Sequence, residues 1–278
     1  MRQSVEGSLR GLGVAIEDEV GRVIVGKADQ TRLITAALLA GGHVLIDDVP
    51  GVAKTLLVRS FAASLGLSFR RIQCTADLLP ADVTGSTVFN QRLGDFEFRP
   101  GPLFAHVVLA DEINRATPRT QSAFLEAMQE RSVTVDGTTH ALPGPFMVLA
   151  TQNPVEQKGT FPLPEAQLDR FLLRVSMGYP SEAEEVQMLQ RFRAGDPLLQ
   201  IQPVADAAEL PGLREQVRDV HVADDLARYV VALAAATRET PALRLGASPR
   251  SSLALLHAVQ AWAALDGRAF VTPDDVQR

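Results

Sequence analysis

The segment 43–55 limits most tightly what this chain can become. An apolar run, 43–48, breaks at Pro50-Gly51 and gives way to a helical pattern that opens on Lys54-Thr55. A strand, a glycine-containing turn and a helix in that order aim successive backbone N–H groups at an anion. Here Pro50, Gly51, Val52 and Ala53 form the turn. Lys54 is placed to neutralise β and γ phosphates, and Thr55 to offer its hydroxyl to Mg2+. The strict pattern G-x-x-x-x-G-K-[ST] is not met, because Asp48 and Ala53 stand at its two glycine positions. On this loop alone an ordinary strand–turn–helix join stays open. The scarcity of lysine favours the phosphate reading: Lys27, Lys54 and Lys158 are the only lysines among 27 lysines and arginines.

A second apolar run, 107–111, ends in Asp111-Glu112. An acid at the carboxyl end of a buried strand beside a phosphate loop suits Mg2+, so Asp111 is the candidate metal ligand with Thr55. Glu112 is the candidate base that polarises water for attack on a phosphate. Two carboxylates in an exposed loop are the alternative.

The wider pattern predicts an α/β fold with a parallel five-stranded sheet between helices. Strands are expected at 43–48, 69–73, 107–111, 146–151 and 171–176, all five buried, with helices at 9–24, 29–40 and 54–65. Turn signals at Leu93-Gly94-Asp95 and Asp136-Gly137 predict hairpins at about 85–98 and 132–142. From Ser181 the pattern is helical only, with helices expected at 182–193, 206–219, 223–238 and 249–265. Thr272-Pro273 reads as the start of another. The expected division is a core over 1–178 and a smaller all-helical lid over 181–278.

Composition closes off several classes. The chain has 278 residues, 46% of them hydrophobic, and a formal net charge of −6, which disfavours coating of nucleic acid by charge alone. Cys74 is the single cysteine, so an internal disulfide and a cysteine zinc site are excluded. The longest apolar runs fall far short of the roughly 20 residues of a membrane span. A cytoplasmic protein without membrane insertion is the expectation.

Four stretches, DVPGVAKT, ADEINRATPRTQSAFLEAMQE, ATQNPVEQKGTFPLPEAQLDRF and GASPRSSLALLHAVQAW, together resemble the MoxR family of AAA+ ATPases, over about 16–275. The resemblance implies further roles. Asn153 matches the residue that orients water or the γ-phosphate. Arg170 matches the arginine finger lent to a neighbouring subunit. Arg250 matches the lid arginine that contacts the γ-phosphate and couples nucleotide state to lid angle. Val25 and Gly26 match the segment beside adenine, and Arg115 and Arg119 flank the acidic strand end. The two hairpins match insertions of the helix-2-insert clade. The family usually continues past the TPDDV segment with further lid helix, so a lid cut short at Arg278 is an expectation.

The resemblance thus implies an Mg2+-dependent ATPase that binds ATP between core and lid. It would hydrolyse ATP at interfaces of a homo-oligomer, with six subunits the family expectation. It would remodel client proteins in a chaperone-like way, with partners carrying a von Willebrand A domain. A nucleotide-binding scaffold with little turnover, a nucleic-acid motor and a small P-loop kinase are the alternatives. The mixed charge of the hairpins (Arg92, Asp95, Glu97, Asp136) disfavours the motor.

Overall fold

A computed structural model describes residues 9–48, 51–153, 159–193 and 195–277. Helices α1 (Leu9–Gly21) and α2 (Ala28–Ala40) precede β1 (Val44–Asp47), and α3 (Lys54–Ser64) leads to β2 (Phe69–Gln73). A short α4 (Pro80–Thr84) opens the hairpin β3 (Gly85–Asn90)–β4 (Asp95–Pro100), followed by β5 (Val107–Asp111) and α5 (Pro118–Glu130). The hairpin β6 (Ser132–Val135)–β7 (Thr138–Ala141), β8 (Met147–Gln152), α6 (Glu165–Leu168) and β9 (Leu173–Val175) complete the strands. Then come α7 (Glu182–Arg193), α8 (Leu210–Arg218), α9 (Asp224–Glu239), α10 (Pro249–Leu265) and α11 (Pro273–Gln277).

The five-stranded sheet has the order β2-β5-β8-β1-β9, and every pairing in it is parallel. Alternate residues of each inner strand point to opposite faces. Val44, Ile46, Val107, Leu109, Met147 and Leu149 meet α1, α2 and α3 in one core. Leu45, Val108, Ala110, Val148 and Ala150 meet Phe124, Leu125 and Met128 of α5 in the other. Burial on both faces explains why these strands read as continuous apolar runs.

Two sequence expectations are corrected here. β2 and β9 are not buried strands: only Ile72 in the first and Val175 in the second are buried. Both are sheet edges, with a strand neighbour on one side only. The helix expected at 206–219 begins only at Leu210, with Pro211 in its first turn, because Asp206 instead closes a turn through Ala208 and Glu209.

The helical region docks on the core through α10, which packs on α1 and α2, and Arg32 of α2 lies 4.9 Å over the Trp262 ring and pairs with Asp266. Among the described residues no helix is long and apolar enough to cross a membrane.

His43, at the start of β1, locks that end of the sheet. Its Nδ1 accepts from the Val148 amide at 2.9 Å, which leaves Nε2–H to donate to the Met128 carbonyl at 3.0 Å. Burial, then the nearby Arg131, hold its pKa down at about 3. The unfolded chain takes up this proton near pH 6.5. The stabilisation is therefore complete above about pH 6.5 and is lost as pH falls toward the folded-state value. Urea midpoints should show stability dropping by up to about 1.4 kcal/mol per pH unit over that window. The same measurement on His43→Gln, which keeps a donor and an acceptor but cannot titrate, should lack this component.

Candidate nucleotide site

The carboxyl ends of β1, β5 and β8 share one edge of the sheet, and the candidate site is built there. Pro50 lies outside the described residues. Gly51 has φ +88° and Ala53, the N-cap of α3, has φ +58°. Both are in the left-handed region, which an L-residue enters at a cost of roughly 1–2 kcal/mol. That cost is the physical reason a glycine is commoner where Ala53 stands. Lys54 and Thr55 form the first turn of α3. The Lys54 ammonium donates to the Asp48 carbonyl at 2.7 Å. Burial lowers its pKa, opposed by the charges of Asp48, Asp111, Asp47 and Glu112. The lysine of the loop and the acids of β5 therefore act on one another across the intervening β8.

Asp48 has a definite task. Its Oδ2 accepts from the amides of Met177 and Gly178, at 2.5 and 2.7 Å, and from the Ser176 hydroxyl at 3.1 Å. The carboxylate thus fastens the end of β9 to the end of β1. Beyond this clasp lies a cavity of about 280 Å3, lined by Val25, Gly51, Ala53, Tyr179 and Met188 among others. Its mainly apolar wall, beside the loop, has the size and place of a nucleotide-base pocket. Gly26 (φ +70°) is where the Glu184 carboxylate comes closest: an added Cβ would sit 1.7 Å from Glu184 Oε1. Glu184 is itself held by the Ser181 amide and hydroxyl at the start of α7.

Asp111 and Glu112 are tied into a network. Arg71 Nε and Nη2 grip Asp111 Oδ2 at 3.0 and 2.7 Å, while Thr151 Oγ1 donates to Asp111 Oδ1 at 2.7 Å. The Glu112 amide donates to Thr151 Oγ1 at 2.7 Å, with Glu112 at φ +56°. Its carboxylate accepts from Gln73 at 3.0 Å and Arg115 at 3.3 Å. Asn153 follows β8 directly and is buried between the two functional strands. Sequence reasoning missed Arg71, Gln73 and Thr151. The signal was the spacing of Arg71 and Gln73 on one face of β2, in register with Leu109 and Asp111. Among the described residues no cluster of three or more metal-ligating side chains forms. The Thr55 hydroxyl and Asp111 carboxylate are nonetheless hard oxygen donors of the kind Mg2+ takes alongside substrate phosphates.

Arg170 and Arg250 are not brought to this edge. Arg170 precedes β9, whose Leu173 pairs with Val44 at the opposite end of β1. Arg250 lies in the first turn of α10, whose cap Ser248 donates to Asp169 at 2.7 Å, as Ser251 also does. Both arginines line one cleft of about 320 Å3 with His43, Phe171 and His257. The length of β1, about 13 Å, separates that cleft from the loop of the same chain. Among the described residues Arg170 makes no ion pair, since Asp169 is taken by the two serines and Glu165 by Arg244. The resemblance gives Arg250 a contact with the γ-phosphate, and this placement sets it away from the loop of its own chain.

A strand–loop–Lys-Thr–helix unit, an acidic strand end and a helical lid together define an AAA+ nucleotide-binding module. The ATPase family associated with various cellular activities (AAA) matches residues 43–173, and an AAA lid domain matches 235–278. The Bacillus subtilis protein YeaC is 53% identical over 96% of this chain and 83% of its own length. The chaperone MoxR1 of Mycobacterium tuberculosis is 43% identical over 93% of this chain and 70% of its own. The crystal structure of a Cytophaga hutchinsonii protein, proposed to be an ATPase, superposes with a TM-score of 0.89 at 39% identity, covering 97% of this chain and 84% of that one. The chain belongs to the MoxR family of AAA+ ATPases.

Two substitutions test the loop. Asp48→Gly, which restores the first glycine of the general pattern, should cost about 2 kcal/mol or more in denaturant unfolding, because two backbone donors lose their acceptor. Ala53→Gly should instead be neutral or stabilising by up to about 1 kcal/mol, since glycine relieves the left-handed strain.

Proposed function

We propose that this chain hydrolyses ATP at the contact between two copies and uses the cycle to remodel client proteins. The observation that carries the reading is the division of the catalytic set. Lys54, Thr55, Asp111, Glu112 and Asn153 gather at one edge of the sheet, and Arg170 and Arg250 gather at the other. Each set is incomplete alone, and a second copy placed edge to edge completes it.

In this reading the amides of Gly51, Val52 and Ala53 and the ammonium of Lys54 hold the phosphates, with the base in the pocket beside Val25 and Gly26. Mg2+ held by Thr55 and Asp111 would offset negative charge on the phosphates. Glu112 leaves Gln73 and Arg115 to take a proton from the attacking water, and Asn153 orients that water. Arg170 and Arg250 of the adjoining copy stabilise charge on the transferred phosphoryl oxygens. A closed ring, six-membered by family expectation, repeats this contact without open ends. Phe89, Leu93 and Phe96 stand exposed on the β3–β4 hairpin, the two rings packed edge to face at 5.3 Å. An apolar tip of this kind favours a protein client over nucleic acid; a partner carrying a von Willebrand A domain is what the family resemblance adds. The setting expected for this work is the cytoplasm.

The test is complementation between defective chains, read as phosphate release from Mg·ATP. Lys54→Ala and Arg170→Ala should each be inactive, and mixing them should restore part of the activity. Arg250→Ala mixed with Lys54→Ala should recover as well. Recovery for Arg170 but none for Arg250 would return Arg250 to its own chain's nucleotide. No recovery for either, with both variants assembled, would sink the shared-site reading. Glu112→Gln should abolish turnover while leaving ATP binding intact.

A further inference from the structure

A second cleft, which shares Ala40, Gly41, Arg131 and His257 with the one beside Arg170 and Arg250, opens where the C-terminal end of α2 meets the loop 142–146 and α8. Its volume is about 360 Å3, within the roughly 300–1,000 Å3 typical of small-ligand sites. Arg131, Arg214, Arg218 and His257 line it, and no carboxylate does.

Two of these arginines are anchored. Arg131 donates to the carbonyls of Gly41 and Phe146, and Arg214 donates from Nε and Nη2 to the Leu38 carbonyl at 2.9 and 2.6 Å. Leu38 and Gly41 belong to the end of α2, where a helix carries about half a negative charge. That dipole cannot neutralise two guanidinium groups, still less three. Arg218 lies one helical turn from Arg214 on the same face of α8, and like charges at that spacing oppose the helix. Helix capping accounts for Arg131 and Arg214. Arg218, in the last turn of α8, is favoured there by that helix's own dipole, but its side chain is exposed and makes no hydrogen bond among the described residues, so its guanidinium is open to a ligand.

Buried charges in proteins are ordinarily paired. Here burial, then repulsion from Arg131 and Arg218, bring the Arg214 pKa down to about 10. His43, behind the same wall, is pushed down by burial and by Arg131 and Arg214. Arg131 Nε and Arg214 Nη1 carry no hydrogen bond among the described residues. The cleft therefore offers guanidinium groups fixed by backbone carbonyls, with spare N–H donors, and lacks a negative charge to pair with them. Guanidinium forks match phosphate oxygens in shape as well as charge.

We propose that this cleft is a second anion site, distinct from the nucleotide loop, which takes a small phosphate-bearing molecule between Arg131, Arg214 and Arg218. An occupant would bridge α2 of the core to α8 and α10.

Inorganic pyrophosphate without Mg2+ is the probe, titrated calorimetrically into the full chain carrying Lys54→Ala, which disables the nucleotide loop. Arg214→Ala is the obvious further change, but it uncaps α2. Arg218→Glu breaks no hydrogen bond and reverses the charge, so it carries the test. Saturable binding to the Lys54→Ala chain is expected, weakened about tenfold or more by adding Arg218→Glu and unchanged by adding Arg170→Ala. Absence of saturable binding, or equal affinity with Arg218→Glu, overturns the proposal. Loss with Arg170→Ala in place of Arg218→Glu also overturns it, since the anion would then sit between Arg170 and Arg250. A single cooperative melting transition of the unliganded Arg218→Glu chain, within a few degrees of the parent, verifies that the fold is intact.

Discussion

Strand β1 is fastened at both ends by the residues that flank it, and the rest of the molecule is arranged around those two fastenings. At its start, the His43 ring bridges the Met128 carbonyl and the Val148 amide, and the His43 carbonyl receives the Leu172 amide at 2.8 Å. At its end, Asp48 gathers the amides of Met177 and Gly178. One fastening joins β1 to β8 and α5, the other to β9. A short strand of four residues could not otherwise hold a loop, a base pocket and an edge strand in fixed relation.

The two ends of that strand carry opposite chemistry. At the carboxyl end, Asp47, Asp48, Asp111 and Glu112 surround a lone lysine, and the acids are stiffened by Arg71, Gln73 and Thr151. At the amino end, arginines dominate: Arg131, Arg170, Arg214 and Arg250 all lie in or beside the clefts around His43. The polarity is a consequence of a parallel sheet, which puts all strand starts on one side and all strand ends on the other. The arginines at the acidic end, Arg71, Arg115 and Arg174, are each paired with a carboxylate, whereas Arg170 at the other end makes no ion pair among the described residues.

Much of this was legible in the sequence, and the reasons differ by element. The inner strands were plain because burial on both faces leaves an unbroken apolar run, as in 107–111. The helix starts at Ser248-Pro249 and Thr272-Pro273 were readable from their caps. The equivalent start at Thr117-Pro118 went unread, although Phe124, Leu125 and Met128 repeat at helical spacing behind it. Lys54, Asp111 and Glu112 were singled out by type and position, and they stand at or just beyond the carboxyl ends of β1 and β5, the two strands beside β8. What Asp48 does was not, because its partners are backbone amides about 130 residues away, and no local pattern encodes them. Family likeness gave Arg250 a contact with phosphate but not the end of the sheet at which it stands. The hydrogen bonds from Ser248 and Ser251 to Asp169, which set its helix beside the turn carrying Arg170, join residues about 80 apart and leave no local pattern.

Those same serine–aspartate bonds have a mechanical consequence. They weld the first turn of α10 to the turn that carries Arg170, so the two arginines travel as one piece. The helical region also lends α7 to the wall of the cavity beside the loop. Any tilt of that region would therefore reach the turn that carries Arg170 through this joint, and the cleft the two arginines line would keep its shape while its direction changed.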